Sequence, residues 1–130
     1  MLTDIGVEEL GHLEIIGTIV HQLTRSMTPE EIKKAGYEAY FVDHTAGVYP
    51  AAASGFPWNA ASMAVKGDLI ADLTEDLAAE QKARLTYDNI LRLSDDPDVN
   101  DAIKFLRARE IVHFQRFGEA KPVSYTHLRA

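Results

Sequence analysis

The chain has 130 residues, 46% of them apolar and 25% charged, with a formal net charge of −7 and no cysteine. That length suits one domain with a sizeable core. The acidic balance argues against a nucleic-acid partner or an anionic membrane surface, either of which calls for a basic face. Without cysteine there are no disulfides, no thiolate ligands and no thiol nucleophile, so any metal must be held by oxygen and nitrogen.

A first helix is predicted over Leu2–Thr24, where Leu2, Ile5, Glu9, His12, Ile16, Ile19 and Leu23 alternate at three and four residues. That spacing keeps one face toward a partner, and it places a carboxylate and an imidazole where leucines are expected. A shorter helix follows, with Thr28 as N-cap, Pro29 at the first position, Glu31 closing a capping box and an end near Phe41. From Asp43 to Gly67 the periodicity fails. Gly, Pro, Ala and Ser dominate an irregular crossover, with Tyr49, Phe56, Pro57 and Trp58 as apolar anchors expected to pack on the bundle or a neighbouring subunit.

Asp68 caps a helix reaching about Leu93, whose stripe is Leu73, Leu77, Glu80, Arg84, Tyr87 and Leu91. A turn in SDDPD supplies Asp96 as N-cap and Pro97 as first residue of the last helix, expected to end near Ala120. Its seam reads Val99, Ile103, Leu106, Glu110, His113 and Phe117. Pro122 ends the helical pattern, and residues 122–130 match nothing before them. They look like the translation of a sequencing adapter and are expected to be a disordered, non-native tail beside a domain of residues 1–121.

An unpaired buried carboxylate costs several kcal/mol, so the polar seam positions need compensation. Two Glu-x-x-His pairs, Glu9/His12 and Glu110/His113, with Glu80 on a third inward face, form the ligand set of a two-metal carboxylate site in a four-helix bundle. One such pair arises readily by chance, and a lone seam histidine is more often a hydrogen-bonded core residue. Both pairs on seams, with Glu80 on a third, favour metal. His21, off the seam, and His44, in the loop, read as structural or solvated. Asp43, His44 and Ser54 lack a nucleophile-elbow sequence and give no hydrolase triad.

Four separated blocks, DIGVEELGHLEIIGTIVHQL, VDHTAGVYPAAASGFPWNAA, DLAAEQKARLTYDNI and DPDVNDAIKFLRAREIVHFQRF, resemble the manganese catalases, most closely the branch found among spore coat proteins. The resemblance spans about Leu2 to Ala120. It implies an all-α, ferritin-like four-helix bundle, with a further upstream helix that donates a terminal Glu and that this chain lacks. It implies Glu9, His12, Glu80 and His113 as metal ligands, and Glu110 as either a ligand or a proton-moving group beside metal-bound solvent. Arg84 is expected to neutralise a bridging or outer carboxylate. The implied cofactor is two manganese ions, with iron as the alternative. The implied reaction is disproportionation of hydrogen peroxide, by a site expected to be incomplete in this chain, and the alternatives are a non-catalytic structural spore-coat protein or a di-iron ferritin-like oxidase. A homo-oligomer and other coat proteins are the expected partners. No apolar run approaches the ~20 residues of a membrane span and no signal-peptide pattern opens the chain, so a cytoplasmic or spore-coat location is expected.

Overall fold

The computed structural model describes residues 1–37 and 56–127, and side chains as far as Lys121. Four α-helices and one 3-10 turn make up its regular structure, with no strand element among the described residues: α1 Leu2–Thr24, α2 Pro29–Lys34, the 3-10 turn Ala60–Ser62, α3 Leu69–Leu93 and α4 Pro97–His127. None of these helices is long and apolar enough to cross a membrane. The all-α reading holds, with three long helices and one short one.

The chain divides into two compact units, Met1–Ile19 with Val65–Ala130, and Val20–Ala64. The smaller holds the end of α1, α2 and the 3-10 turn. Thr28 and Glu31 form the expected reciprocal cap, the Thr28 N–H donating to Glu31 Oε2 at 2.8 Å and the Glu31 N–H to Thr28 Oγ1 at 3.3 Å. This helix stops at Lys34, well before Phe41. Gly36 takes φ +77, which lets its N–H reach Lys33 O at 3.1 Å and the Tyr37 N–H reach Ile32 O at 3.0 Å. These paired bonds satisfy the last carbonyls and turn the chain out of the helix. Phe56 and Trp58, in this smaller unit, are 54% and 63% exposed. Tyr49, like the rest of the crossover before residue 56, lies outside the described residues.

In the larger unit the start of α3 is built by its own sequence. Gly67, at φ +74, turns the chain so that Asp68 Oδ1 accepts from the Ala71 N–H at 2.8 Å, while Asp72 accepts from the N–H groups of Lys66 and Gly67 at 2.9 and 3.1 Å. Three residues then separate α3 from α4. Asp96 Oδ1 caps α4 by accepting from Asp98 and Val99 N–H at 2.9 and 3.2 Å, and Asn100 Nδ2 donates back to Ser94 O at 3.0 Å.

So short a turn makes α3 and α4 antiparallel neighbours, and their register follows from two contacts near opposite ends. Asp88 pairs with Arg107, and a Cβ built on Gly118 would meet Leu77 Cδ2 at 3.9 Å. α1 lies antiparallel to α4 as well, since Asp4 and Glu8 reach Arg116 while His12 reaches Glu110. Ile5, Leu73 and Phe117 form an apolar cluster, with Leu77 and Ala120 against it. Ile103 and Leu106 are buried further along α4. Between these apolar layers the buried side chains are polar.

α4 does not end at Ala120. Helical backbone continues through Pro122 to His127, so the segment expected to be a disordered tail is helical that far, and residues 128–130 lie outside the described residues. A proline inside a helix costs about 3 kcal/mol through one lost hydrogen bond and a clash, which a long helix carries at one position without terminating.

Candidate metal centre

The polar layer comes from the seam positions. On α1, three residues separate Glu9 from His12, and the side chains share a face. On α4 the same spacing links Glu110 to His113. Antiparallel packing brings the two pairs together, and Glu9, His12, Glu110 and His113 each offer one donor atom within 4.8 Å of the others. Glu80 enters from α3, its Oε2 3.8 Å from His113 Nδ1 and its carboxyl hydrogen-bonded to Glu110. His12, Glu80, Glu110 and His113 are 6%, 7%, 2% and 0% exposed, a concentration of ionisable groups that apolar packing does not require.

Glu9 faces both imidazoles. Its Oε2 lies 3.2 Å from His12 Nδ1, and its Oε1 lies 2.7 Å from His113 Nδ1. His12 Nδ1 is also 3.3 Å from Glu110 Oε1. The two rings stack, with centroids 5.4 Å apart and planes 20° from parallel.

Proximity here is not mutual satisfaction. Glu9 Oε1, Glu80 Oε2, Glu110 Oε1 and His113 Nδ1 are buried and make no hydrogen bond, although each such atom normally costs about 1–3 kcal/mol. Lone pairs on different residues that point into one space without bonding each other suit cations shared among them. Three carboxylates and two imidazoles, all oxygen and nitrogen donors, are the chemistry that manganese or iron takes. The residues therefore fit the manganese or iron that the family resemblance implies.

Electrostatics agree. Burial, and then the hydrogen bond that protonated Glu80 donates to Glu110, push the Glu80 carboxyl well above the usual carboxylate range, with the Glu110 and Glu9 charges adding to the effect. Burial, with the same three carboxylates nearby, raises the Tyr87 phenol to about 12. Among the described residues no arginine is paired with these carboxylates. Arg84, expected to neutralise one of them, instead donates through Nε to Gln81 Oε1 at 2.9 Å and through Nη1 to Asp88 Oδ2 at 2.7 Å. Asp88 also accepts from Arg107. A long side chain at a seam position can run along the helix toward its surface, and Arg84 does so.

Glu8 is a residue the seams do not reveal. Its carboxylate accepts from Arg109, lies 2.9 Å from His113 Nε2 through Oε2, and meets Arg116 Nη1 at 3.4 Å through Oε1. Hydrogen bonds from His113 and then Arg109 hold its pKa down at about 2. The available signal was the stripe Arg109, His113, Arg116 on α4 facing the acidic pair Asp4 and Glu8 on α1.

Antiparallel long helices around a buried carboxylate–histidine cluster define the ferritin-like class of helical metal-site proteins. Within that class the family described as manganese containing catalase matches residues 1–123, and the chain belongs to it. It is 52% identical over 120 residues to Protein CotJC of Bacillus subtilis, covering 92% of this chain and 64% of that one. It is 34% identical over 120 residues to a probable manganese catalase of Clostridium acetobutylicum, covering 92% of this chain and 53% of the relative. A manganese catalase of Lactiplantibacillus plantarum is 30% identical over 132 residues, covering 93% and 50%. The chain thus spans between half and two thirds of the length of these relatives.

Proposed function

We propose that the chain carries the α1, α3 and α4 ligands of a two-manganese site of the catalase type, working in the disproportionation of two hydrogen peroxide molecules to two waters and one dioxygen. The observation that carries this reading is the set of buried, unbonded donor atoms on Glu9, Glu80, Glu110 and His113: Glu9, Glu110 and His113 lie within reach of one another and of His12, and Glu80 Oε2 lies 3.8 Å from His113 Nδ1. Glu9, His12, Glu80 and His113 are the proposed ligands. Bound there, the pair of manganese ions would supply a two-electron couple that one peroxide oxidises and the next reduces. Iron is the alternative metal for the same donors.

The chain's own residues supply the proton chemistry. Peroxide has to lose protons when it is oxidised and gain them when it is reduced to water. Glu110, almost wholly buried and hydrogen-bonded to Glu80, is the proposed group that takes and returns them. Ile5, Leu73 and Phe117 on one side and Ile103 and Leu106 on the other bound the layer that holds Glu110. Purified chain reconstituted with manganese should release oxygen from peroxide, and Glu110→Gln should lower that rate about 10²–10⁴-fold while keeping its manganese. Manganese-loaded chain without oxygen release would refute the catalytic reading.

A second reading is structural. Val7, Leu10 and Leu13 on α1 are 64%, 67% and 64% exposed, and clustered exposed apolar side chains mark association surfaces. In this reading the chain contributes to a homo-oligomer or a coat assembly, with or without turnover. Size-exclusion chromatography with light scattering tests it. A monomer at high concentration would count against it.

A further inference from the structure

A neutral imidazole carries one proton, and which nitrogen bears it is set by the partner of the other. His113 is completely buried, and its two nitrogens face different surroundings. Nδ1 looks toward Glu9 and Glu80, where it makes no hydrogen bond. Nε2 looks the other way, 2.9 Å from Glu8 Oε2. A carboxylate only accepts, and both nitrogens lie near one, but Glu9 Oε1, 2.7 Å from Nδ1, is outside hydrogen-bonding geometry whereas Glu8 Oε2 is within it for Nε2, so the proton belongs on Nε2 and the Nδ1 lone pair is left pointing inward.

Glu8 is itself held. Arg109 donates to its Oε2, Arg116 Nη1 lies 3.4 Å from its Oε1, and Arg116 also reaches Asp4 Oδ2 at 3.5 Å. Arg109, His113 and Arg116 lie on one stripe of α4 at spacings of four and three, so one carboxylate on α1 closes all three contacts. A plain inter-helix salt bridge would need the arginines alone. The third contact, to a ring with no exposure, is what a bridge of that kind leaves unexplained.

We propose that Glu8 is a positioning residue for the metal centre: braced by Arg109 and Arg116, it fixes the tautomer and orientation of His113 so that Nδ1 is presented as a donor. The metal part of this inference rests on the proposed manganese reading, whereas the tautomer part does not.

The test uses ring-nitrogen NMR of the metal-free protein together with manganese titration, on wild type, Glu8→Gln and Glu8→Asp. Gln matches Glu in size, so folding is least disturbed, but its amide can donate to Nε2. The proposal expects His113 as the Nε2–H tautomer in wild type, a clear rise of the Nδ1–H form in Glu8→Gln with manganese binding weakened about tenfold or more, and recovery of the Nε2–H form in Glu8→Asp. Retention of the Nε2–H form at wild-type manganese affinity in Glu8→Gln would overturn it. A lower melting temperature with the tautomer unchanged would also overturn it, leaving Glu8 as a structural bridge. If wild type takes up no manganese, the metal reading fails by itself, and the tautomer shift still decides whether Glu8 orients the ring.

Discussion

His12 and His113, from opposite helices and 101 positions apart in the chain, stack with ring centroids 5.4 Å apart. Neither the seam of α1 nor that of α4 explains a buried histidine by itself. Stacked across the α1–α4 contact with the two oxygens of Glu9 facing one ring each, they form two halves of one polar centre.

Glu80 and Arg84 lie one turn apart on the same stripe, yet they point to different tasks. Glu80 is buried against Glu110 and His113, whereas Arg84 is bound by Gln81 and Asp88. Glu80→Ala should therefore remove most of the bound manganese, and Arg84→Ala should leave its stoichiometry close to wild type. Metal analysis of both purified variants checks this. Equal metal content would contradict the assignment.

Metal uptake should depend on pH. Burial and the Glu110 hydrogen bond raise the Glu80 carboxyl, so in the metal-free protein it holds a proton at neutral pH that a bound cation must displace. For a raised acid the sign is fixed. The metal-free fold keeps this contribution in full below the unfolded carboxyl's 4.5 and loses it as pH rises toward the folded value. Apparent manganese affinity should rise over the same range, with proton release visible in weakly buffered titrations. A pH-independent affinity would contradict the proton on Glu80.

On the acid side the ion cluster of Asp88 should act in the opposite sense. The Arg107 hydrogen bond, opposed by some desolvation and aided by Arg84 and Arg92, lowers the Asp88 carboxyl below 3.8. A lowered acid stabilises above its unfolded pKa, and that contribution is lost as pH falls through the folded value. Asp88→Asn should flatten the acid limb of the stability profile below about pH 4, the ordinary aspartate range, as read by thermal melts across pH.

The apolar layers should account for most of the stability of the larger unit. Leu106 is fully buried, while Leu10 is 67% exposed. Leu106→Ala should cost about 2–5 kcal/mol, and Leu10→Ala in the isolated chain should stay within about 0.5 kcal/mol. Urea denaturation measures both. A large cost at Leu10 would show that the α1 face is covered in solution.

Much of this was legible because local chemistry and long-range packing agree. Thr28 with Glu31, Asp68 and Asp96 announce helix starts that packing has no reason to move, and the seams carry their polar interruptions openly. The Gly36 signal is also local: its positive φ closes α2 at Lys34, short of the end near Phe41 that the pattern predicts. Pro122 misled in the other direction, because a proline signals a cost, not an end. Arg84 and Glu8 were illegible for a different reason. Whether a long side chain at a seam position turns inward or out depends on the partner across the helix pair, and Glu8 gains its meaning only from the register that sets it beside His113.

In the proposed site, α1, α3 and α4 converge their acidic and imidazole groups on a common pair of ions. Titrating the metal-free chain with Mn(II) while recording its EPR spectrum tests this most directly. Two ions should bind per chain, and the second should give the exchange-coupled signal of a pair, lost in a variant lacking His113. No uptake, or two independent uncoupled ions, would contradict it.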